Sequence, residues 1–307
     1  MGMAEVVPGV SGGTIAFVTG IYEQLLEAIS SVGPGLLPIY RSGGVRAVWR
    51  EVQGPFLVNL LVGMAAGLVV GVFAVSYFLE AYPPVVWALF FGLILASVWY
   101  IGRQVAPWAL VEVVALLAGT GIALAIVLGT PSAGNTALWF VFVSGVIAIS
   151  ALLLPGVSGS FILLLLGMYS YVVPSVKAAL TGSFDALGVV VVFALGCLFG
   201  LATFSRVLSW LFRAYPQPTL ALLTGFMLGS LYKLWPWRYA VAWLEDDRGV
   251  RVVNSDGEPK VIAEAVVWPW EFGAATGEPA YVLASVVALL VGAGLIVWLA
   301  RREPISL

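Results

Sequence analysis

Apolar residues run along this chain in long blocks instead of alternating with polar ones. Blocks at 55–79, 85–101, 108–128, 184–205, 216–234 and 280–300 approach or exceed the ~20 residues that carry a helix across a bilayer. Two other apolar stretches, 1–30 and 137–173, are interrupted. PGVSGGTIA at 8–16 and PGVSGSFIL at 155–163 each set a Pro-Gly-x-Ser-Gly turn in oily sequence. The one long polar segment is 236–279, where a Ser-Asp-Gly turn between RVV and KVI predicts a small β-hairpin.

Composition agrees with the pattern. The chain is 61% hydrophobic and 10% charged, with a mean hydropathy of +1.05, against roughly 25% charged in soluble domains. The expected fold is an all-α polytopic membrane protein. A net charge of −2 without a basic cluster gives no sign of nucleic-acid binding. Histidine is absent, which excludes His metal sites, Ser-His-Asp triads and His proton relays. With its carboxylates scattered, the chain reads as no enzyme, with no metal and no cofactor. The single cysteine, Cys197 in VVVVFALGCLFG, reads as a packed thiol. Residues 1–16 lack the basic segment of a cleavable signal peptide.

Lys and Arg in short loops set the orientation. Arg41, Arg46 and Arg50 put the 31–54 loop in the cytoplasm, and Arg103, then Arg206 and Arg213 in a 206–215 loop, then Arg301 and Arg302, follow it there. The acidic 236–279 segment falls outside, with the C-terminus inside. These assignments agree if each interrupted stretch is a re-entrant hairpin, the first open to the cytoplasm and the second to the exterior.

The chain also repeats itself. With Pro8 on Pro155, 8 of 15 residues match over 8–22 and 155–169, ending in Gly20/Tyr22 and Gly167/Tyr169. At a smaller offset of 133, AYPPVVWALFFGLILAS (81–97) meets AYPQPTLALLTGFMLGS (214–230) with 8 of 17 matches. The expected architecture is two inverted repeats, each a re-entrant helical hairpin plus three transmembrane helices. The first spans 1–128 (hairpin 1–30, then 55–79, 85–101 and 108–128). The second spans 137–300 (hairpin 137–173, then 184–205, 216–234 and 280–300), with 236–279 as a loop insertion. Inverted repeats with discontinuous helices are a recurrent design of secondary transporters. The second half has 18 residues, 137–154, before its Pro and the first only seven. Either the first leading arm is short or the start lies upstream.

The turns carry the candidate chemistry. Pro8, Gly9, Pro155 and Gly156 break the helices. New helices begin near Gly12–Thr14 and Gly159–Phe161 with free N–H groups and a partial positive charge. Ser11, Gly12, Gly13 and Thr14, with Ser158, Gly159 and Ser160, are expected to cradle an anion, best a phosphate; no Gly-Lys-Ser/Thr marks a nucleotide loop. The plainer alternative is that the turns only allow close packing. Glu5, three residues before the first turn, either exchanges a proton during transport or merely sits at the interface or caps its own turn. Arg206 either reaches in to the phosphate or marks the cytoplasmic edge. KLWPWRY (233–239) reads as an interfacial aromatic belt.

GMAEVVPGVSGGTIAFVTGIYE (2–23), LLPGVSGSFILLLLGMY (153–169) and LGSLYKLWPW (228–237) closely resemble the bacterial membrane family known as domain of unknown function 368, the PopT-type translocases of undecaprenyl phosphate. The resemblance leaves out only the 240–279 segment and the short N-terminus. It implies a lipid flippase of the cytoplasmic membrane. Such a protein returns the polyprenyl phosphate carrier from the outer to the inner leaflet for peptidoglycan precursor recycling. In this chain, protonation of Glu5 or the membrane potential acting on the anion is expected to set the direction. A secondary transporter of a small soluble anion is the alternative reading. Oligomeric state is not legible in the sequence.

Overall fold

The computed structural model describes residues 1–5, 11–33, 35–129, 134–245, 250–253, 259 and 261–302. Pro8 and Gly9 lie outside the described residues. The fold is helical apart from one two-stranded ribbon. The first interrupted stretch forms α1 (Gly2–Glu5), α2 (Gly12–Val18) and α3 (Tyr22–Ser31). Next come α4 (Leu36–Glu51), α5 (Gly54–Ala81), α6 (Pro83–Gly102) and α7 (Leu110–Val127). The second interrupted stretch forms α8 (Leu138–Leu153), α9 (Gly159–Leu165) and α10 (Tyr169–Leu180), followed by α11 (Phe184–Ala214) and α12 (Pro216–Ser230). The ribbon β1 (Arg238–Trp243) and β2 (Val261–Val266) precedes α13 (Pro269–Thr276) and α14 (Val282–Arg302).

Among the described residues, five helical stretches are long and apolar enough to cross a membrane, or six if the bent pair α9–α10 is one span. The chain is a multi-pass membrane protein. Large apolar side chains such as Phe73, Leu110, Leu198 and Leu283 are exposed on these helices, as lipid-facing surface requires. The 15-residue α12 is shorter than the expected 216–234 block, about 22 Å at 1.5 Å per residue. It is buried almost all round, from Thr219 to Ser230, which marks a core helix.

The structure departs from the sequence expectation in three places. No loop occupies 206–215: α11 runs 31 residues to Ala214. LATFSRVLSWLFRA holds no helix breaker, and the first proline is Pro216. Arg206 and Arg213 therefore stand on a helix. The 31–54 loop contains α4, which has no buried residues and a break at Gly44 (φ +64°). The ribbon pairs RYAVAW with VIAEAV, Arg238 opposite Val266 and Trp243 opposite Val261, further from the expected hairpin tip. Isolated bridges Glu245–Arg251 and Val253–Pro259 continue it, while the Ser-Asp-Gly turn lies outside the described residues.

Helices α6 and α12 form the centre and touch each other, with α14 packed on α6 and α7 on α12. Backbones touch at glycines. A Cβ at Gly92 would collide with the Leu289 carbonyl, and one at Gly292 with the Leu89 carbonyl. A Cβ at Gly225 would collide with the Leu116 carbonyl, and one at Gly119 with the Leu222 carbonyl. Gly92 and Leu89 correspond to Gly225 and Leu222 under the 133-residue offset. The corners before α6 and α12 also match: Tyr82 has φ −142°, ψ 57° and Tyr215 has φ −140°, ψ 62°, each followed by proline.

Gly92→Leu and Gly225→Leu should each lower the thermal unfolding temperature in detergent, since overpacking a close contact costs about 1–3 kcal/mol. An unchanged transition for either would mean that these contacts do not hold the helices together.

Candidate functional site

The two interrupted stretches are built alike. Helices α2 and α9 are seven residues each and follow Ser11 and Ser158 in extended conformation. Both end on a glycine with positive φ, Gly20 at +75° and Gly167 at +67°. Around Gly20, the Ile21 and Gly20 N–H groups donate to the Ala16 and Phe17 carbonyls at 3.0 and 3.3 Å. Around Gly167, Met168 and Gly167 donate to Leu163 and Leu164 at 2.9 and 3.0 Å. This is the Schellman arrangement, which uses the last carbonyls of a helix and turns the chain away. The turn after α9 bends it from α10 by 115°.

The turns meet. Thr14 Oγ1 accepts a hydrogen bond from the Gly156 N–H at 2.8 Å. Ser11 Oγ accepts from its own Gly13 N–H at 3.1 Å and donates to the Leu152 carbonyl at 3.2 Å. Tyr22 Oη donates to the Leu153 carbonyl at 2.5 Å. Backbone groups freed where α8 ends at Leu153 thus find partners on the first hairpin, as groups removed from water require. Gly156 adopts φ +85°, and a Cβ there would lie 2.9 Å from the Phe226 carbonyl oxygen of α12. A Cβ at Gly159 would lie 2.6 Å from the Ala148 carbonyl oxygen, and one at Gly13 2.9 Å from that of Leu152.

The remaining candidates divide. Glu5 Oε1 accepts from the Gly12 N–H at 2.8 Å, so a carboxylate stands at the start of α2 where an anion was expected. Ser11 and Thr14 are each 1% exposed, and their hydroxyls are committed to the junction. Ser158 is half-buried and Ser160 exposed, their hydroxyl oxygens 3.0 Å apart. The hydroxyls free to meet a ligand therefore belong to the second turn. Arg206 is engaged elsewhere: Nη2 donates to the Val32 carbonyl at 2.7 Å, beyond the end of α3, and Nη1 to the Ala202 carbonyl at 2.9 Å. It lines a cavity of about 500 Å³ with Glu27, Glu51, Gln53 and Arg213.

Two features escaped the sequence reading. Tyr22, matched by Tyr169 in the repeat, gave a signal without a role. A cavity of about 650 Å³ beside α2 runs between α5, α6 and α14; its lining is mostly apolar, with Asn59, Thr19, Tyr100 and Trp298 as its polar members.

A multi-pass membrane protein with a sharply bent helix pair, α9–α10, tied by hydrogen bonds to a second stretch of short helices has the broken-helix construction that recurs in transporters. The particular family follows from sequence. Residues 1–252 match the VCA0040-like family, described as undecaprenyl phosphate translocase-like, and the chain belongs to that family. It is 41% identical over 301 residues to a polyprenyl-phosphate transporter of Vibrio cholerae, covering 98% of this chain and 93% of the relative. A polyprenyl-phosphate transporter of Staphylococcus aureus is 31% identical over 250 residues, covering 77% of this chain and 83% of that one. No solved structure matches. The family is one of transporters, and the chain is not an enzyme.

Thr14→Val should destabilise the fold by about 1–3 kcal/mol, since it leaves the Gly156 N–H without its acceptor. Thr14→Ser should restore most of that loss. Thermal unfolding of the pair checks this; equal transitions for Val and Ser would show that the hydroxyl does not join the turns.

Proposed function

We propose that this protein carries undecaprenyl phosphate from the outer to the inner leaflet of the bacterial cytoplasmic membrane. The observation that carries the reading is the junction of the two PGVSG turns, tied by Thr14 and Gly156, in a chain of the undecaprenyl phosphate translocase-like family. The two halves, 1–128 and 137–300, work as inverted repeats in alternating access. The equivalent glycine contacts of Gly92 and Gly225 support that relation. The C-terminus is cytoplasmic and 236–279 extracytoplasmic, as the Lys and Arg distribution indicates.

The lipid phosphate approaches between the turns. Of the two turns, the second engages it through Ser158 and Ser160, whose hydroxyls are not committed to the backbone. The Gly12 N–H already serves a carboxylate, Glu5, so the phosphate and Glu5 compete for it. Protonation of Glu5 weakens its hold and opens the place to the incoming anion, which couples transport to protons. The membrane potential adds about 2.3 kcal/mol per charge and 100 mV. The isoprenoid chain lies along the apolar cavity beside α2. That lining favours a lipid over a small soluble anion, which would need polar walls.

The test is movement of a fluorescent polyprenyl monophosphate across liposomes holding the purified protein. The Ser158→Ala, Ser160→Ala double variant should keep its unfolding temperature and slow transport roughly tenfold, the worth of one charge-assisted hydrogen bond. Wild-type rates in that variant would remove the second-turn hydroxyls from the site. If the wild-type protein moves inorganic phosphate while the lipid stays in place, the chain is a soluble-anion transporter instead.

A further inference from the structure

Beside the second turn lies a charged cluster that no role assigned so far uses. A cavity of about 120 Å³ is lined by Phe161, Tyr232, Lys233, Arg238 and Glu264, and by the end of α7. Phe161 follows Ser160 directly in α9, so the cavity adjoins the turn whose hydroxyls are uncommitted. Lys233 Nζ lies 5.3 Å from the centre of the Phe161 ring and donates to Glu264 Oε2 at 2.6 Å. The Arg238 side chain is only 5% exposed. Its guanidinium lies 3.7 Å from the centre of the Trp87 ring, and Nε stands 3.6 Å from Glu264 Oε1. Among the described residues, Arg238 Nη1 is buried and has no acceptor. A buried donor on a cation is costly to leave unmade.

The charges do not cancel. Burial lowers Arg238 to about 10, against the pull of Glu264, which leaves it cationic at neutral pH. Burial raises Glu264, but Arg238 and Lys233 outweigh it and hold the carboxyl below its ordinary range. Two cations thus face one carboxylate. The unmet donor calls for one more anionic acceptor, and the cavity beside it has room for a phosphate group. Buried arginine with lysine and a half-open mouth is a fitting phosphate receptor.

We propose that Arg238 and Lys233, balanced by Glu264, form a phosphate-binding site that receives the ligand's phosphate before it reaches the Ser158–Ser160 turn. As to source, this rests on the transport reading above: the phosphate is that of the lipid monophosphate, arriving from the face that carries the β1–β2 ribbon. Glu264 keeps the site from holding the anion too tightly to release it.

Binding to the full chain in lipid nanodiscs, by titration calorimetry with farnesyl monophosphate, farnesol and inorganic phosphate, tests this. Wild type should bind farnesyl monophosphate far better than farnesol. Lys233→Gln and Arg238→Gln should each weaken that binding roughly tenfold. Glu264→Gln should tighten it several-fold, a gain that misfolding cannot imitate. Wild-type affinity in both cation variants would overturn the site while leaving the transport reading standing. Equal binding of farnesol and farnesyl monophosphate by wild type would overturn that reading itself. If inorganic phosphate binds as tightly as the farnesyl ester and loses affinity with Lys233→Gln, the site stands but its ligand is free phosphate, and the lipid source is overturned.

Discussion

The structure depends on one constraint: backbone groups exposed where a helix breaks inside apolar surroundings must find partners, at several kcal/mol for each one left alone. Here side chains of the first interrupted stretch satisfy the break in the second. The Gly156 N–H goes to Thr14 and the Leu152 and Leu153 carbonyls go to Ser11 and Tyr22. The second interrupted stretch is not self-sufficient: its freed backbone groups depend on side chains of the first. That joins the distant halves of the sequence at one place.

Much of this was legible in the residues. Pro-Gly-x-Ser-Gly announced two breaks, and the matched Gly20/Tyr22 and Gly167/Tyr169 supported the repeat, though the glycines' use as helix ends came only with the structure. The use made of each copy was not legible. Ser11 and Ser158 occupy the same position in the repeat, yet Ser11 is buried in the junction and Ser158 faces another hydroxyl. Thr14 corresponds to Phe161, so the bond to Gly156 has no counterpart that alignment could reveal. Glu5 reads equally well as a proton carrier or a cap, and the hydrogen bond to Gly12 shows the cap. Arg206 reads as a marker of the cytoplasmic edge or a phosphate ligand; its position within a helix, donating to Val32, depends on the absence of a breaker before Pro216.

KLWPWRY reads from sequence as an interfacial belt because aromatics dominate it. The structure adds that Arg238 opens β1 with its charge folded under Trp87. Hydropathy cannot express that arrangement, since it assigns the charge to solvent and the rings to lipid. On the transport reading proposed above, the phosphate passes from the cationic pocket to the uncommitted hydroxyls and the Gly12 N–H held by Glu5, with the apolar cavity alongside α2 left for the tail. A ligand with one phosphate and a long hydrocarbon tail suits each part.

The most direct test of the account is photocrosslinking of a polyprenyl monophosphate that carries its reactive group next to the phosphate, mapped by peptide mass spectrometry on the membrane-embedded protein. The account predicts adducts within 11–14 and 158–161. Adducts confined to peptides outside both turns, in a preparation that still moves the lipid, would contradict it.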